Sequence, residues 1–290
     1  MSRIAIVGGG NIGEALLSGL LRSGRQLKDI VVAERVPARA RYLADRYSVR
    51  VAGVAGAVEN ANFVVVAVKP SDVESVTTEI ADAIARAQGD APEHVVVSVA
   101  AGVSTAYYES KLPAGTPVIR VMPNAPMVVS AGVSAIATGR FATEAHLKEV
   151  AALFDAVGGV LTVPESQLDA VTAVSGSGPG YFFLVVEALV DAGVGVGLSR
   201  SVATDLVVQT MAGSAAMLLE RMGDTGSPHE ASQGAGVDTT PAELRATITS
   251  PGGTTAAGLG ELERAGVRAA LAAAVLAAKR RSEQLGITSE

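Results

Sequence analysis

Two clusters of residues in this chain have the types and spacing to do chemistry. Gly8-Gly9-Gly10-Asn11-Ile12-Gly13 follows a short β-branched run and opens a helical pattern. Between a strand and a helix, the G-x-G-x-x-G spacing predicts a dinucleotide cradle. Gly8 makes the tight turn, Gly10 admits a pyrophosphate to the backbone, and Gly13 lets helix and strand pack closely. The second cluster is Ser250-Pro251-Gly252-Gly253-Thr254-Thr255. Proline stops the preceding helix, the glycines let the backbone turn, and the threonines open the next helical pattern. Free N–H groups and two hydroxyls then point at one small space, which favours an anion such as a carboxylate. Taken in isolation, the same six residues read first as a helix cap with a turn.

The second strand pattern ends at Ala33-Glu34-Arg35, with Glu34 placed 21 residues past Gly13. An acid there accepts the ribose 2′-hydroxyl of NAD, whereas a nearby Arg holds the 2′-phosphate of NADP. The two residues are adjacent, so dual use is open; the reading leans to NADPH, with NADH as the second cofactor. Ligands lie at the carboxyl ends of parallel strands, which draws in Ala67-Val68-Lys69-Pro70 and Ser98-Val99-Ala100-Ala101-Gly102. Each of these is, alone, an ordinary strand-to-helix turn.

A carbonyl that accepts hydride usually needs a general acid, most often His, Lys or Tyr. The three histidines, His94, His146 and His229, fall in no recognised motif and read as surface residues. The glycine-rich stretch from Ser175 through Gly180 carries no Lys either. An already protonated C=N needs little help from an acid, so an imine reductase fits these residues better than a carbonyl reductase.

The elements that must position these residues are legible as a change of pattern. Apolar runs at 4–7, 30–33, 63–68, 95–99 and 118–122 alternate with helical patterns at 12–22, 38–46, 73–87 and 105–112. Continuous rather than alternating apolar strands predict burial on both faces, hence a doubly wound, mainly parallel Rossmann-like sheet of the α/β class. Runs at 132–137 and 159–163 add edge strands around a helix at 144–157. Beyond residue 165 only helical patterns follow, at 180–194, 200–221, 241–248, 255–264 and 266–285. Residues 223–240, rich in Gly, Ser, Asp and Thr, read as a flexible loop. The expected division is a dinucleotide-binding domain over 1–162 and a helical domain for substrate binding and dimerisation over 163–290.

Composition excludes several functions. With 29 acidic against 23 basic residues the net charge is −6, which argues against nucleic-acid binding. Lys279-Arg280-Arg281 is too short a cluster to change that and is expected to cap a helix C-terminus. There is no Cys, so disulfides, thiol nucleophiles and thiolate metal sites are out, and no metal site is expected. No apolar run approaches a membrane span; the best candidates, at 181–190 and 269–278, are about ten residues long, the first containing Glu187 and the second flanked by Arg268 and Lys279. A soluble cytoplasmic protein is the expectation.

Taken together, these stretches resemble pyrroline-5-carboxylate reductase, almost end to end. The most specific are the run from Leu168 through Pro179 and the Ser250-to-Thr255 cluster; Arg120-Val121-Met122-Pro123-Asn124-Ala125-Pro126 adds to them. The resemblance implies NAD(P)H-dependent reduction of 1-pyrroline-5-carboxylate to L-proline. It implies cofactor contacts from Gly8, Gly10, Asn11, Ile12, Gly13, Glu34, Arg35, Ala67, Val68, Lys69, Pro70, Val99, Ala100 and Ala101. Thr255 would hydrogen-bond the ring nitrogen as the catalytic residue, and the backbone around Gly253 and Thr254 would take the carboxylate. Glu165 stands where the family has an acid near the substrate; by itself it reads as a helix-start carboxylate. The family's helical domains interlock into homodimers, commonly assembling further into decamers. Three departures stand out: Glu34 in place of a small polar residue, Thr247 in place of a frequent Asn or Asp, and a longer 223–240 loop. Reduction of another cyclic imine, or a β-hydroxyacid-dehydrogenase-like activity, is the alternative.

Overall fold

The computed structural model describes residues 2–86, 93–224 and 240–286. They fall into two compact units, Met1–Pro179 with Ala277–Glu290, and Gly180–Leu276.

The first unit is built on an eight-stranded sheet: β1 Ile4–Val7, β2 Ile30–Ala33, β3 Arg50–Ala52, β4 Phe63–Val66, β5 Val95–Ser98, β6 Val118–Met122, β7 Gly132–Thr138 and β8 Gly158–Thr162. Its spatial order is β3-β2-β1-β4-β5-β6-β7-β8. All neighbours pair in parallel except β6 and β7. Parallel pairing needs a crossover of about a dozen residues or more. Only residues 123–131 join β6 to β7, as a short 3-10 turn, so β7 returns antiparallel.

Adjacent residues of the central strands face opposite ways, and each face has its own core. Ile4 and Ile6 pack with Leu16, Leu17 and Leu20 of α1 (Asn11–Arg22), Leu43 of α2 (Pro37–Tyr47) and Leu153 and Phe154 of α6 (Glu144–Phe154). Ala5 and Val7 pack with Val58 of α3 (Val54–Val58), Val73, Val76 and Ile80 of α4 (Val73–Arg86) and Tyr107 and Tyr108 of α5 (Thr105–Lys111). Burial on both faces is why the central strands run apolar at successive positions, mostly Val and Ile, instead of alternating with polar residues.

Four expectations change here. The expected strands over 63–68 and 95–99 stop at Val66 and Ser98, so Ala67, Val68 and Val99 lie in the turns beyond them. The 132–137 run is no edge strand, because β8 pairs along its outer side. β3 and α3 went unread, being only three and five residues long with no periodicity to mark them. His94 is no surface residue: it is 6% exposed, with Nδ1 2.6 Å from the Ala61 carbonyl. His146 does lie on a helix near the surface, where it completes the capping box of α6 with Thr143. His229 lies outside the described residues.

After α7 (Leu168–Val171) a π-helical turn at Thr172–Gly176 leads into α8 (Gly178–Gly195). Then come α9 (Arg200–Asp224), α10 (Thr240–Thr247), α11 (Thr254–Arg264) and α12 (Val267–Leu285). Most of the expected 223–240 loop lies outside the described residues. Lys279, Arg280 and Arg281 sit inside α12 rather than at its end, with Lys279 paired to Glu283. The membrane expectation also needs correction. Glu165–Gly195 and Arg200–Arg221 are long and apolar enough to cross a membrane by length and composition. Counting uninterrupted apolar residues missed them because isolated polar residues break the runs without making the windows polar. Their apolar side chains are widely exposed in the single chain, among them Phe182, Phe183, Leu189, Leu206 and Leu219.

Candidate dinucleotide cleft and substrate motif

Strand order reverses between β1 and β4, and at such a switch point the carboxyl ends of parallel strands leave a crevice. A cavity of about 410 Å³ opens there. Gly8, Gly10, Glu34, Arg35, Ala67, Val68 and Lys69 all line it, with Asp72 and Glu79 beside them and Ala52, Val54 and Val76 as an apolar wall.

Of the three fingerprint glycines, Gly8 and Gly13 are sterically required, whereas Gly10 is open. Gly8 has φ +107°, and a Cβ there would lie 2.6 Å from the Ala67 carbonyl oxygen. Gly13 sits so close to the Gly8 carbonyl that a Cβ would overlap it. Gly10 faces open space, with nothing within 4 Å of an added Cβ. It is the N-cap of α1, and its exposed backbone leaves room for the phosphate that this helix N-terminus would attract. Asn11 and Ile12 form the first turn of that helix.

Gly9 is the residue that pattern reading passed over. Its N–H donates to Glu34 Oε2 at 2.9 Å, and its carbonyl accepts from Arg39 Nε at 2.6 Å. Both ends of the turn are therefore pinned from the β2–α2 side. Arg39 also pairs with Glu14, whose carboxylate accepts from Tyr47 at 2.8 Å and Tyr42 at 3.1 Å. Burial pushes the Glu14 carboxyl up, but hydrogen bonds from Tyr47, Arg39 and Tyr42 outweigh it and leave it below its ordinary range. The second Glu34 oxygen accepts from Val36 N at 2.8 Å, and Arg35 pairs with Asp72 at 3.0 Å. Lys69 caps the short 3-10 turn Pro70–Asp72. Val99, Ala100 and Ala101 follow β5 but do not line this cavity.

Glu165 takes a position that spacing alone did not reveal. It does open a 3-10 turn, yet its carboxylate serves another helix: Oε1 accepts from Thr105 N at 2.7 Å and Oε2 from Thr105 Oγ1 at 2.6 Å, at the first residue of α5. Arg120, 7% exposed, adds an ion pair at 3.4 Å. Nearby, Ser98 donates to the Tyr108 hydroxyl at 2.8 Å, and burial pushes that phenol up to about 12 despite the hydrogen bond.

In the second unit, Ser250-Pro251-Gly252-Gly253 forms a tight turn closed by Gly253 N donating to Ser250 O at 3.0 Å. Gly252 carries the positive φ, +68°, that the turn demands. Gly253 is extended and caps α11 without any side-chain cap, and the first intrahelical bond there runs from Ala257 N to the Gly253 carbonyl. The first-turn N–H groups from Thr254 and Thr255 onward point out of the helix end, as every α-helix N-terminus must leave them.

The sheet, the switch-point cavity and the glycine cradle define a dinucleotide-dependent oxidoreductase with a helical second half. Residues 3–102 match the family described as NADP oxidoreductase, coenzyme F420-dependent, and residues 165–285 match pyrroline-5-carboxylate reductase dimerisation. The chain is 70% identical over its full length to a pyrroline-5-carboxylate reductase of Mycobacterium tuberculosis, covering 99% of that protein. Its fold superposes on a pyrroline-5-carboxylate reductase from Coxiella burnetii with TM-score 0.87 and 31% identity, covering 99% of each chain. A Plasmodium falciparum pyrroline carboxylate reductase with NADP bound gives TM-score 0.78 at 25% identity, over 99% of this chain and 98% of that one. The chain belongs to the pyrroline-5-carboxylate reductase family.

Proposed function

We propose that this chain reduces 1-pyrroline-5-carboxylate to L-proline with NADPH or NADH. One observation carries the reading: a cradle that needs glycine at Gly8 and Gly13 and is open at Gly10 stands in the same chain as the uncapped helix start at Thr254. The residues present fit a nicotinamide dinucleotide. Open space at Gly10 receives the pyrophosphate, Glu34 suits a ribose hydroxyl, Arg35 suits a 2′-phosphate, and Val54 and Val76 offer an apolar wall. Arg35 supports the NADPH expected from the sequence, while Glu34 supports NADH. Asn11, Ile12, Ala67, Val68, Lys69, Pro70, Val99, Ala100 and Ala101 complete the proposed cofactor contacts.

When bound, the reduced nicotinamide supplies a hydride to C5 of the pyrrolinium ring. The chain's own part is to bind and orient. The first turn of α11, with Gly253 and Thr254, holds the carboxylate by its N–H groups, and Thr255 Oγ1 fixes the ring nitrogen. The nitrogen is already protonated in the electrophile and keeps its proton as the product amine. No acid has to deliver a proton during the hydride step, which matches the lack of a His motif. Glu165 is proposed near the substrate, with its carboxylate oriented by the bonds to Thr105. Residues 1–162 would carry the dinucleotide and 163–290 the substrate and the dimer contacts, with homodimers building to decamers. Exposed apolar residues on α8 and α9 support self-association over membrane insertion. The need for reduced dinucleotide supports a cytoplasmic site of action.

The test is oxidation of reduced dinucleotide by the purified protein, with pyrroline-5-carboxylate, a piperideine carboxylate and β-hydroxyacids offered in parallel. Turnover is expected on the pyrroline substrate; faster turnover on either other class would replace this reading.

A further inference from the structure

The cleft's charges, taken with the reading of it as a dinucleotide site, point to a residue that discriminates between the two cofactors. We propose that Asp72 is a specificity-determining residue: by holding the Arg35 guanidinium in an ion pair, it weakens binding of a ribose 2′-phosphate while leaving a 2′-hydroxyl unaffected.

Arg35 is the cation nearest in sequence to Glu34 at the end of β2, and the one suited to a 2′-phosphate. Its Nη2 lies 3.0 Å from Asp72 Oδ1. The two side chains differ in freedom: Arg35 is 74% exposed and Asp72 only 26%. The acid is also set in a fixed turn. Asp72 N donates to the Lys69 carbonyl at 2.9 Å, and its own carbonyl accepts from Ser75 Oγ at 3.1 Å. The arginine is therefore drawn to the acid, rather than the acid following the arginine.

Glu34 cannot give way to make up the difference. Each of its oxygens already accepts a backbone N–H, from Gly9 and from Val36. A carboxylate has about four lone-pair sites, so acceptor capacity remains for a ribose hydroxyl. A phosphate has no proton to offer that carboxylate and meets only its charge. With Glu34, Asp72 and Glu79 against Arg35 and Lys69, acids outnumber cations along the cleft. A 2′-phosphate would have to compete with Asp72 for Arg35, whereas a 2′-hydroxyl needs nothing from it.

The experiment measures dissociation constants of NADPH and NADH by fluorescence titration of the full-length protein, without imine substrate. Asp72→Asn keeps the shape and removes the charge. It is expected to tighten NADPH roughly two- to fivefold, the scale of one partly exposed charge pair, and to leave NADH within about 1.5-fold. Asp72→Ser should do the same, which separates charge from side-chain packing. In an Arg35→Ala background the gain from Asp72→Asn should disappear, since there is then no guanidinium to release. An unchanged NADPH-to-NADH ratio in both Asp72 variants, or a full gain without Arg35, overturns this assignment while the dinucleotide reading stands. Failure of the wild-type protein to bind either dinucleotide overturns both.

Discussion

Glu165 and Thr105, 60 positions apart, form a two-point contact in which one carboxylate takes both the backbone N–H and the hydroxyl at the start of α5. The same carboxylate is the counter-ion of buried Arg120. One residue thus ties the segment after β8 to β6 and to the helix that follows β5. Losing it would leave the Thr105 N–H and hydroxyl without this acceptor, although Ser104 still caps α5 through Tyr107 N, and a buried cation without its anion.

Glu165→Ala is accordingly expected to destabilise the protein by about 2 kcal/mol, the scale of hydrogen bonds to a charged group. Glu165→Gln should cost less, because an amide oxygen still accepts from Thr105. Urea denaturation of both variants measures this, and equal stability of Glu165→Ala and wild type would refute it.

Gly10 and Gly13 should differ in stability, but not in the sense of the binding change, when each becomes Ala. Gly13→Ala drives a Cβ into the Gly8 carbonyl, so α1 must shift; a lower Tm and at least about tenfold weaker dinucleotide binding are expected. Gly10→Ala enters open space, so Tm should hold while binding still falls, because the methyl occupies the phosphate's place. Calorimetry paired with a binding titration distinguishes the two patterns.

Glu14 predicts a pH signature. Its folded-state carboxyl lies below the ordinary 4.5. A depressed carboxyl stabilises the fold above its unfolded value, and that contribution is lost as pH falls through the folded value. Glu14→Gln should therefore be less stable than wild type at pH 7, with the gap closing on acidification below about 4.5. A gap that stays constant between neutral and acid pH would show that the carboxylate's charge contributes nothing.

Thr255→Ala is expected to lower kcat/KM at least about tenfold, with dinucleotide affinity unchanged. Full activity of the variant would remove Thr255 from the mechanism.

Phe182, Val185 and Leu189 recur at helical spacing on α8 and are 58%, 47% and 53% exposed in the single chain. Replacing Val185 and Leu189 together by Asp should convert the protein to monomer in light scattering, while the first unit still binds dinucleotide. An unchanged molar mass would place the self-association surface elsewhere.

Much of the molecule is written in local pattern. The Val- and Ile-rich, non-alternating runs of β1, β2, β4 and β5 specify strands buried on both faces, and the glycine spacing after β1 specifies a phosphate cradle, because each depends on residues near one another in the chain. The turn at Pro251 and Gly252 is legible for the same reason. The short β3 and α3, by contrast, have too few residues for any period to show. Tertiary structure alone decided the polar pairings. That Glu34 would hold Gly9, Arg39 the Gly9 carbonyl, Asp72 the Arg35 guanidinium and Glu165 the start of α5 depends on which loops the sheet order brings together. A charged side chain carries no periodicity that names its partner, and contacts spanning 25 to 60 residues exist only once the strands have been ordered.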